Sequence, residues 1–268
     1  MKDKVVIITG GSSGIGKGLA EVFGRNGSKV VITARRGDLL FAVRDELKQK
    51  GIIIEAVVAD SASEADNQKV VDETIRIFGG IDVLICNAGI SMRSLFEDLH
   101  LDVFKKVMDI NFYGAVYACK YALPHILKSK GSIVGISSIN GHRATPARTA
   151  YSASKFAMEG FLEALRTEVF KRNVHVLSVC PGFTESNIRN AALLADGSSQ
   201  GTSPRDEHKM MSSEEAAHHI YKAVVRRRRD LVLTFQGKLA VFLNKWIPGR
   251  MDKIVYNVMA RETDSPFK

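Results

Sequence analysis

Tyr151 and Lys155 are a pair of side chains whose types and spacing suit proton transfer. On a helix, residues four positions apart lie on one face, so the phenol and the ammonium would be neighbours. A free tyrosine has a pKa of about 10, which is too high for ready proton exchange near neutrality. A nearby ammonium favours the phenolate and would lower that pKa toward the working range. The spacing alone is common, so its meaning depends on the elements that position the pair.

Short β-branched runs alternate with longer helical stretches along the chain. The predicted strands are Val5–Thr9, Val30–Ala34, Ile52–Val58, Val83–Cys86, Ser132–Ile136, Val174–Val179 and Leu231–Phe235. The predicted helices are Ile15–Asn26, Asp38–Lys50, Glu64–Phe78, Leu101–Ser129, Tyr151–Lys171 and Ser213–Arg228. The strand runs are mostly apolar throughout, as in parallel strands covered on both faces. We therefore expect residues 1–268 to form one α/β domain, a doubly wound Rossmann fold with a seven-stranded parallel sheet and helices on both faces.

A glycine-rich turn, Thr9-Gly10-Gly11-Ser12-Ser13-Gly14-Ile15-Gly16, follows the first predicted strand and opens the first helix. Glycines allow a tight turn and let the backbone approach a pyrophosphate at the positive helix N-terminus. Alone, such a turn could be a plain loop. Its place at the start of a βαβ unit favours dinucleotide binding.

In the spacing of this turn, T-G-x-x-x-G-x-G, the chain resembles the classical short-chain dehydrogenase/reductase family. The family's other landmarks follow in order: Asn87-Ala88-Gly89, Asn111, Ser138, Tyr151 with Lys155, Pro181-Gly182 and Thr184. The resemblance runs from Lys4 to about Phe235. Within the family, the glycine-rich turn and the Ala34-Arg35 strand end look most like the 3-ketodihydrosphingosine reductases. The same features are similar to the 11β-hydroxysteroid dehydrogenase-like branch.

The resemblance implies NADPH-dependent reduction of a ketone by hydride transfer, with Tyr151 supplying the proton. Ser138 would polarise the carbonyl. An oxidised nicotinamide and Lys155 would together favour the phenolate form of Tyr151. Asn111 would hold a water that links Lys155 to solvent. The expected catalytic residues are Ser138, Tyr151, Lys155 and Asn111. The expected cofactor-binding residues are Gly10, Ser12, Ser13, Gly14, Ile15, Gly16, Arg35, Arg36, Asp60, Asn87, Ala88, Gly89, Tyr151, Lys155, Pro181, Gly182 and Thr184. No metal site is predicted.

The end of the second predicted strand distinguishes between the two nicotinamide cofactors. An NAD enzyme would place an acidic residue there to accept the ribose hydroxyls. This sequence has Arg35 and Arg36 instead. Arginine pairs well with phosphate oxygens, so we expect NADP(H), held by its 2′-phosphate. Arg36 could equally face solvent.

The substrate is less closely defined than the reaction. Residues of about 184–211 are expected to form a substrate lid, and its apolar members suggest a lipophilic ketone. The alternative is a small soluble ketone, an aldehyde or a 3-oxoacyl thioester. A remote alternative is a non-catalytic NADPH-binding sensor, which would be expected to lack Tyr151 or Lys155.

The composition indicates in which compartment the protein works and what its basic segment could contact. Hydrophobic residues are 45% of the chain and charged residues 25%, as in soluble globular proteins. The three cysteines lie in apolar runs, which predicts buried free thiols. With no signal peptide and no spanning apolar run, we expect a cytoplasmic protein. The net charge is +9, and the segment of about 236–268 is both apolar and basic. It could contact a membrane surface, or it could cover the pocket or a subunit interface.

The sequence also bears on two further kinds of partner, nucleic acid and a second copy of the chain. No motif resembles a nucleic-acid-binding module. A homodimer or homotetramer is expected, because in the family the two long central helices pair across a two-fold axis. The residues suggested for that surface, which could equally be core residues, are Phe112, Tyr113, Tyr117, Tyr121, Phe161, Leu162 and Leu165.

Overall fold

The computed structural model describes residues 1–182, 184–185, 188–203, 210–262 and 265–267. Seven strands form one parallel sheet in the order β3-β2-β1-β4-β5-β6-β7. The strands are β1 (Val5–Thr9), β2 (Lys29–Ala34), β3 (Ile54–Val58), β4 (Val83–Cys86), β5 (Ser132–Ile136), β6 (His175–Cys180) and β7 (Asp230–Val232). The predicted seven-stranded parallel sheet is confirmed. Its order reverses between β1 and β4, where ligands bind at the carboxyl ends of the strands in folds of this kind.

Nine α-helices are assigned within the described part of the chain. They are α1 (Gly14–Arg25), α2 (Gly37–Gln49), α3 (Glu64–Phe78), α4 (Leu101–Met108), α5 (Gly114–Ser129), α6 (Thr149–Glu168), α7 (Ser213–Val225), α8 (Phe235–Trp246) and α9 (Pro248–Ala260). The sheet buries one apolar face under α1, α2 and α7, where Leu19, Leu40 and Ile220 pack. Its other face lies under α3, α5 and α6, where Val70, Ile126 and Leu162 pack. Helices therefore cover both faces, as predicted.

Several predicted elements differ from the structure in their bounds, and two of these differences lie near the candidate site. The single helix expected over Leu101–Ser129 is divided by a π-helical turn, Asp109–Tyr113, between α4 and α5. The last strand was expected to run to Phe235, but it ends at Val232. The reason for the second difference is a helix cap: the Thr234 hydroxyl accepts a hydrogen bond of 3.1 Å from the Gly237 N–H and starts α8.

The described part of the expected lid contacts the loop after β4. Positions 186–187 and 204–209 of the expected lid lie outside the described residues. Thr184 pairs with Met211, and Leu193 pairs with Met92 in the loop after β4. Ala192 and Leu193 are buried. The segment expected to form the lid is thus held by bridges at its ends and near its middle.

The tail after β7 forms α8 and α9, so the apolar and basic segment is helical; its positions 263, 264 and 268 lie outside the described residues. Among the helices that the structure describes, none has both the length and the apolar character needed to span a bilayer.

Candidate active site

The glycine-rich turn between β1 and α1 is too tightly packed to accept side chains. Gly10 has a φ of +69°, and a Cβ there would lie 2.9 Å from the Cα of Ala88. A Cβ on Gly16 would collide with the carbonyl oxygen of Gly10. The Ser13 side chain makes no capping hydrogen bond to α1 in the described structure. Bare backbone and a helix N-terminus therefore face the space where a pyrophosphate would lie.

Thr9 and Asn87 brace this turn from the adjacent strand end. The Thr9 hydroxyl oxygen accepts hydrogen bonds of 3.0 Å from the N–H groups of both Asn87 and Ala88. The Asn87 amide nitrogen donates to the carbonyl oxygens of Thr9, at 2.9 Å, and Gly10, at 3.0 Å. Asn87, expected to line the cofactor cleft, thus also fixes the shape of the turn. Sequence reasoning missed the brace by Thr9, although the residue stood in the quoted motif.

Arg35 and Arg36 follow β2 at the same edge and are exposed. Neither guanidinium has an ion-pair partner among the residues described. Asp60 follows β3, and its Oδ1 accepts a hydrogen bond of 3.0 Å from the Ala62 N–H, which shapes the neighbouring loop. The cradle of glycines and the two exposed arginines together fit a phosphorylated dinucleotide.

Ser138, Tyr151 and Lys155 are brought together beside this cradle. Tyr151 and Lys155 lie on one face of α6, with the lysine Nζ 5.7 Å from the tyrosine ring centroid. The Lys155 ammonium donates a hydrogen bond of 2.8 Å to the carbonyl oxygen of Ile136. Ser138 follows β5, and its hydroxyl acts to lower the pKa of the Tyr151 phenol. The expected catalytic residues thus share one site.

The electrostatics of the pair differ from the expectation. Burial raises the pKa of Tyr151 above its ordinary value, although the Ser138 hydroxyl and the charges of Arg148 and Arg189 oppose this rise. Burial lowers the pKa of Lys155 to about 8, against the opposing effects of Cys180 and Glu159. The lysine alone does not bring the pKa of the phenol into the neutral range, because the cost of desolvating the phenolate dominates. It is protonated at neutral pH and able to donate a proton.

Asn111 lies in the π-helical turn and is fully buried. Its side-chain oxygen accepts a hydrogen bond of 2.8 Å from the Ile90 N–H, and its nitrogen donates to the Ile90 carbonyl at 2.9 Å. The same nitrogen donates to the Ser154 hydroxyl at 3.0 Å. Asn111 therefore ties the loop after β4 to α6. Its role in a water relay stays a prediction.

The remaining expected cofactor residues lie around this centre. A Cβ on Gly89 would lie 3.2 Å from the Asn111 Oδ1 and 3.6 Å from the Lys155 Nζ, so Gly89 is next to two of the expected catalytic residues. Pro181 and Gly182 follow β6, and Gly182 packs against Thr234. Thr184 is buried, and its hydroxyl contacts the Gly182 carbonyl oxygen at 3.5 Å.

Sequence reasoning missed Glu159, one helical turn beyond Lys155. The Ser178 hydroxyl donates to its carboxylate at 2.7 Å, and the Cys180 thiol does so at 3.3 Å. Burial raises the pKa of Cys180, which keeps it a neutral thiol. His142 Nε2 lies 3.7 Å from the same carboxylate. The spacing of four from Lys155 was the available signal.

An apolar group of side chains adjoins the reactive phenol. Its buried members are Met92, Leu99, Val103, Val107, Ala150 and Leu193, and Ile90, Phe104 and Tyr151 pack against them. We call this group the apolar wall. It brings together residues from the loop after β4, from α4 and from the lid, which no local sequence pattern connects.

Comparisons with known proteins agree with this geometry. A family model described as short chain dehydrogenase matches residues 4–196. The chain is 35% identical to dehydrogenase/reductase SDR family member 7B of Mus musculus, over 99% of this chain and 84% of that protein. It is 36% identical to dehydrogenase/reductase SDR family protein 7-like of Drosophila melanogaster, over 91% of this chain and 77% of that protein.

Two solved structures share the fold at low sequence identity. One is a short chain dehydrogenase/reductase from Burkholderia phymatum in complex with NAD, with a TM-score of 0.83 and 22% identity over 91% of this chain and 93% of that one. The other is an alcohol dehydrogenase from the archaeon Thermococcus sibiricus complexed with 5-hydroxy-NADP, with a TM-score of 0.77 and 22% identity over 87% and 96%. With the family model matching most of its length and relatives above 30% identity, the chain belongs to the short-chain dehydrogenase/reductase family of oxidoreductases.

Proposed function

We propose that this protein uses NADPH to reduce a lipophilic ketone to a secondary alcohol. The observation that carries the proposal is the position of the half-buried Tyr151, whose ring lies 5.7 Å from the Lys155 Nζ and packs against the apolar wall. When bound, the nicotinamide cofactor supplies the hydride.

The chain's own residues handle the proton. The Tyr151 phenol, kept protonated by burial, donates to the carbonyl oxygen, and the Ser138 hydroxyl hydrogen-bonds the same oxygen and orients it. Lys155 has a pKa of about 8, so its ammonium is present at neutral pH beside the phenolate that proton donation leaves. That positive charge stabilises the phenolate until it is reprotonated.

Arg35 supports the choice of NADPH over NADH. It is exposed directly after β2, where an NAD enzyme would place an acidic residue. A guanidinium there would bind a 2′-phosphate with charge-assisted hydrogen bonds. Arg36 lies at the N-cap position of α2 with its side chain exposed, and we assign it a lesser part.

The apolar wall supports a lipophilic substrate. Met92 and Leu193 belong to the buried cluster against which Ile90 and the Tyr151 ring pack. The similarity of the glycine-rich turn to reductases of 3-ketosphinganine and of steroids points to the same class. The alternative remains a small soluble ketone, aldehyde or 3-oxoacyl thioester. The complete Ser138, Tyr151 and Lys155 cluster speaks against a non-catalytic sensor.

The exposed face of α8 supports docking on an anionic membrane surface. Phe235, Leu239, Phe242 and Trp246 are spaced along one helical face, and the first and last are 79% and 73% exposed. The nearby cations are Lys238, Lys245, Arg250 and Lys253, all exposed. Apolar bulk beside lysine and arginine is typical of interfacial helices. A second copy of this chain would bring like charges together on this face, which favours lipid.

α8 also lies close to the catalytic residues. The Asn244 amide nitrogen donates a hydrogen bond of 3.0 Å to the His142 carbonyl oxygen, and Gly237 packs against Ile139, the residue after Ser138. A lipid surface held by α8 would therefore be near the site of reaction. This arrangement suits a substrate that partitions into membranes.

A homo-oligomer remains part of the proposal, with a smaller surface than expected. Leu162 and Leu165 are buried in the core of this chain, because α6 packs them against the sheet. Tyr113 is exposed, and its ring stacks on Tyr117 at 6.2 Å. Phe112 and Phe161 meet edge to face across the same surface at 6.3 Å. We propose these aromatic residues as the face for a second copy.

The test is an NADPH-oxidation screen over long-chain ketones, steroid ketones, 3-oxoacyl thioesters and small aldehydes. The expected result is turnover of a long-chain or steroid ketone with NADPH, lost in Tyr151→Phe. Turnover confined to small aldehydes or thioesters would replace the lipophilic class with the alternative. NADPH binding without turnover of any carbonyl would favour the sensor.

A further inference from the structure

Three side chains of the kinds that bind metal ions meet close to the catalytic pair. Glu159 lies on α6 one turn beyond Lys155, Cys180 is the last residue of β6, and His142 follows the short turn Ile139–Gly141. One ligand atom from each of the three lies within 4.8 Å of the other two. Cys180 is buried, whereas the Glu159 and His142 side chains are 17% and 34% exposed. Solvent therefore reaches the cluster at the histidine.

The separations within the cluster are close to those between the ligands of one metal ion. The Cys180 Sγ lies 3.3 Å from Oε1 of Glu159, and Nε2 of His142 lies 3.7 Å from the same oxygen. Ligands bonded at about 2.0–2.3 Å to a tetrahedral zinc ion lie about 3.3–3.6 Å from one another. An ion bound by the three atoms would therefore need only small side-chain adjustments.

The Glu159 carboxylate has no lysine or arginine as an ion-pair partner in the described chain. Its partners there are two neutral groups, the Ser178 hydroxyl and the Cys180 thiol, and the imidazole of His142. A carboxylate that is mostly removed from water is costly without a positive partner. A divalent cation would supply that charge where a thiol and an imidazole already lie.

Hydrogen bonds and close packing hold the three side chains in place. A Cβ on Gly141 would lie 3.1 Å from Cγ of Glu159, so the lack of a side chain lets this turn pass close to α6. The next residue, His142, is fixed by its carbonyl oxygen, which accepts a hydrogen bond of 3.0 Å from the Asn244 amide. The Ser178 hydroxyl donates to both oxygens of Glu159, at 2.7 Å and 2.8 Å. Hydrogen bonds of this kind orient the ligands of metal sites.

We infer that Cys180, Glu159 and His142 form a zinc site, with water as the fourth ligand. Zinc accepts thiolate, imidazole and carboxylate ligands, and three protein ligands with one water form an open tetrahedral site. Mg²⁺ and Ca²⁺ prefer oxygen ligands, so the sulfur disfavours them. As the sulfur–zinc bond forms, the Cys180 thiol releases its proton to water, and the ion gives up three waters for the three side chains.

Zinc at this position would join the three segments that carry the candidate active site. The segment of His142 also carries Ser138, α6 carries Tyr151 and Lys155, and Cys180 is followed by the expected cofactor loop. Bound zinc should therefore stabilise the folded chain, whatever ketone is reduced. The expected rise in melting temperature is about 5 °C when free zinc is about a hundredfold above its dissociation constant.

Cobalt(II), which replaces zinc and absorbs light when a thiolate binds it, tests the site in the intact chain. One equivalent should produce a thiolate-to-cobalt charge-transfer band in the near ultraviolet, and added zinc should remove the band. Cys180→Ser should lose both the band and the thermal shift with zinc, and His142→Gln should weaken cobalt binding at least tenfold. A cooperative melting transition shows that each variant is folded. Cys119→Ser, which removes a buried thiol outside the cluster, should keep the band.

Several results would overturn the inference. A wild type without the band and without a thermal shift in zinc would leave the cluster as hydrogen bonds around a carboxylate. A band kept in Cys180→Ser but lost in Cys86→Ser would place the metal at the buried pair of Cys86 and Cys119, whose sulfurs are 3.9 Å apart. Binding lost only when His218 and His219 on the exposed face of α7 are changed to glutamine would place the metal on that surface.

Discussion

The Lys155 ammonium donates a hydrogen bond of 2.8 Å to the carbonyl oxygen of Ile136, the last residue of β5. Ser138 follows two residues later. One strand end therefore fixes both the lysine and the serine of the candidate active site. The cost is burial of a charged amine, which lowers the pKa of Lys155 to about 8.

This burial makes stability depend on pH through Lys155. The folded protein releases the lysine proton at a lower pH than the unfolded chain, whose ordinary value is 10.5. Between about pH 8 and 10.5 the unfolded chain binds more protons than the folded protein, so the free energy of unfolding rises with pH through this group. Below pH 8 this gain is absent. Over the whole range the gain in the free energy of unfolding is about 3 kcal/mol. Lys155→Met should thus stabilise the protein more at pH 7 than at pH 10, as measured by urea unfolding.

A matched control for that experiment is Lys120→Met, at an exposed position on α5. It should change the unfolding free energy by the same small amount at both pH values. Equal effects of Lys155→Met at pH 7 and pH 10 would contradict a depressed pKa for the buried amine.

Tyr151→Phe should abolish most turnover without unfolding the protein. The substitution removes the phenol proton and keeps the ring that packs against the apolar wall. We expect turnover with the best ketone to fall by at least ~100-fold, the low end for a general acid. NADPH binding and melting temperature should stay near wild type. Tyr117→Phe on α5 is the control, and near-normal turnover of Tyr151→Phe would require another proton donor.

Arg35→Ala should change cofactor preference. Loss of the guanidinium should weaken NADPH binding by ~1.5–3 kcal/mol, the scale of a hydrogen bond to a charged group, and leave NADH binding nearly unchanged. Fluorescence titration with both cofactors measures this directly. Arg44→Ala, at a half-buried arginine on α2, should affect neither cofactor. Equal use of NADPH and NADH by the wild type would refute the preference.

The parts predictable from sequence are those encoded locally. The bounds of β1 and β4 are predictable because each is a short, mostly apolar run that a parallel sheet must bury. The turn that begins at Thr9 was recognisable because its glycines lie between a strand and a helix. The start of α7 is also encoded locally, since the Ser212 hydroxyl accepts a capping hydrogen bond of 3.1 Å from the Glu215 N–H three residues later.

The parts that escaped prediction depend on distant residues. Nothing near Asn111 signals a π-helical turn, which is stabilised by hydrogen bonds to Ile90 and Ser154. Likewise, no local pattern places Glu262 against Arg93, because the contact joins positions far apart in the chain. The raised pKa of Tyr151 follows from burial, a property of the assembled site.

The aromatic face on α5 and α6 predicts a homo-oligomer. Exposed Tyr113 and its neighbours should be covered by a second copy related by a two-fold axis. Light scattering at micromolar concentration should report a dimer or tetramer, and Tyr113→Glu with Phe161→Glu should shift it toward monomer. A monomeric wild type would defeat the prediction. Phe170→Glu, at an exposed site outside this face, serves as the control.

The exposed face of α8 predicts salt-sensitive binding to anionic membranes. Each cation held near an anionic surface contributes about 1 kcal/mol, and burial of the aromatic side chains adds to it. The protein should sediment with vesicles of phosphatidylserine and phosphatidylcholine at low salt, and less with phosphatidylcholine alone. Phe242→Ser with Trp246→Ser should abolish the binding, and Lys238→Gln with Lys245→Gln should weaken it. Phe170→Ser, which removes an equally exposed ring elsewhere, should leave it intact. If the wild type stays in the supernatant at low salt, α8 does not dock on lipid. If the Phe242 and Trp246 changes instead reduce self-association, its occupant is a second copy of the chain.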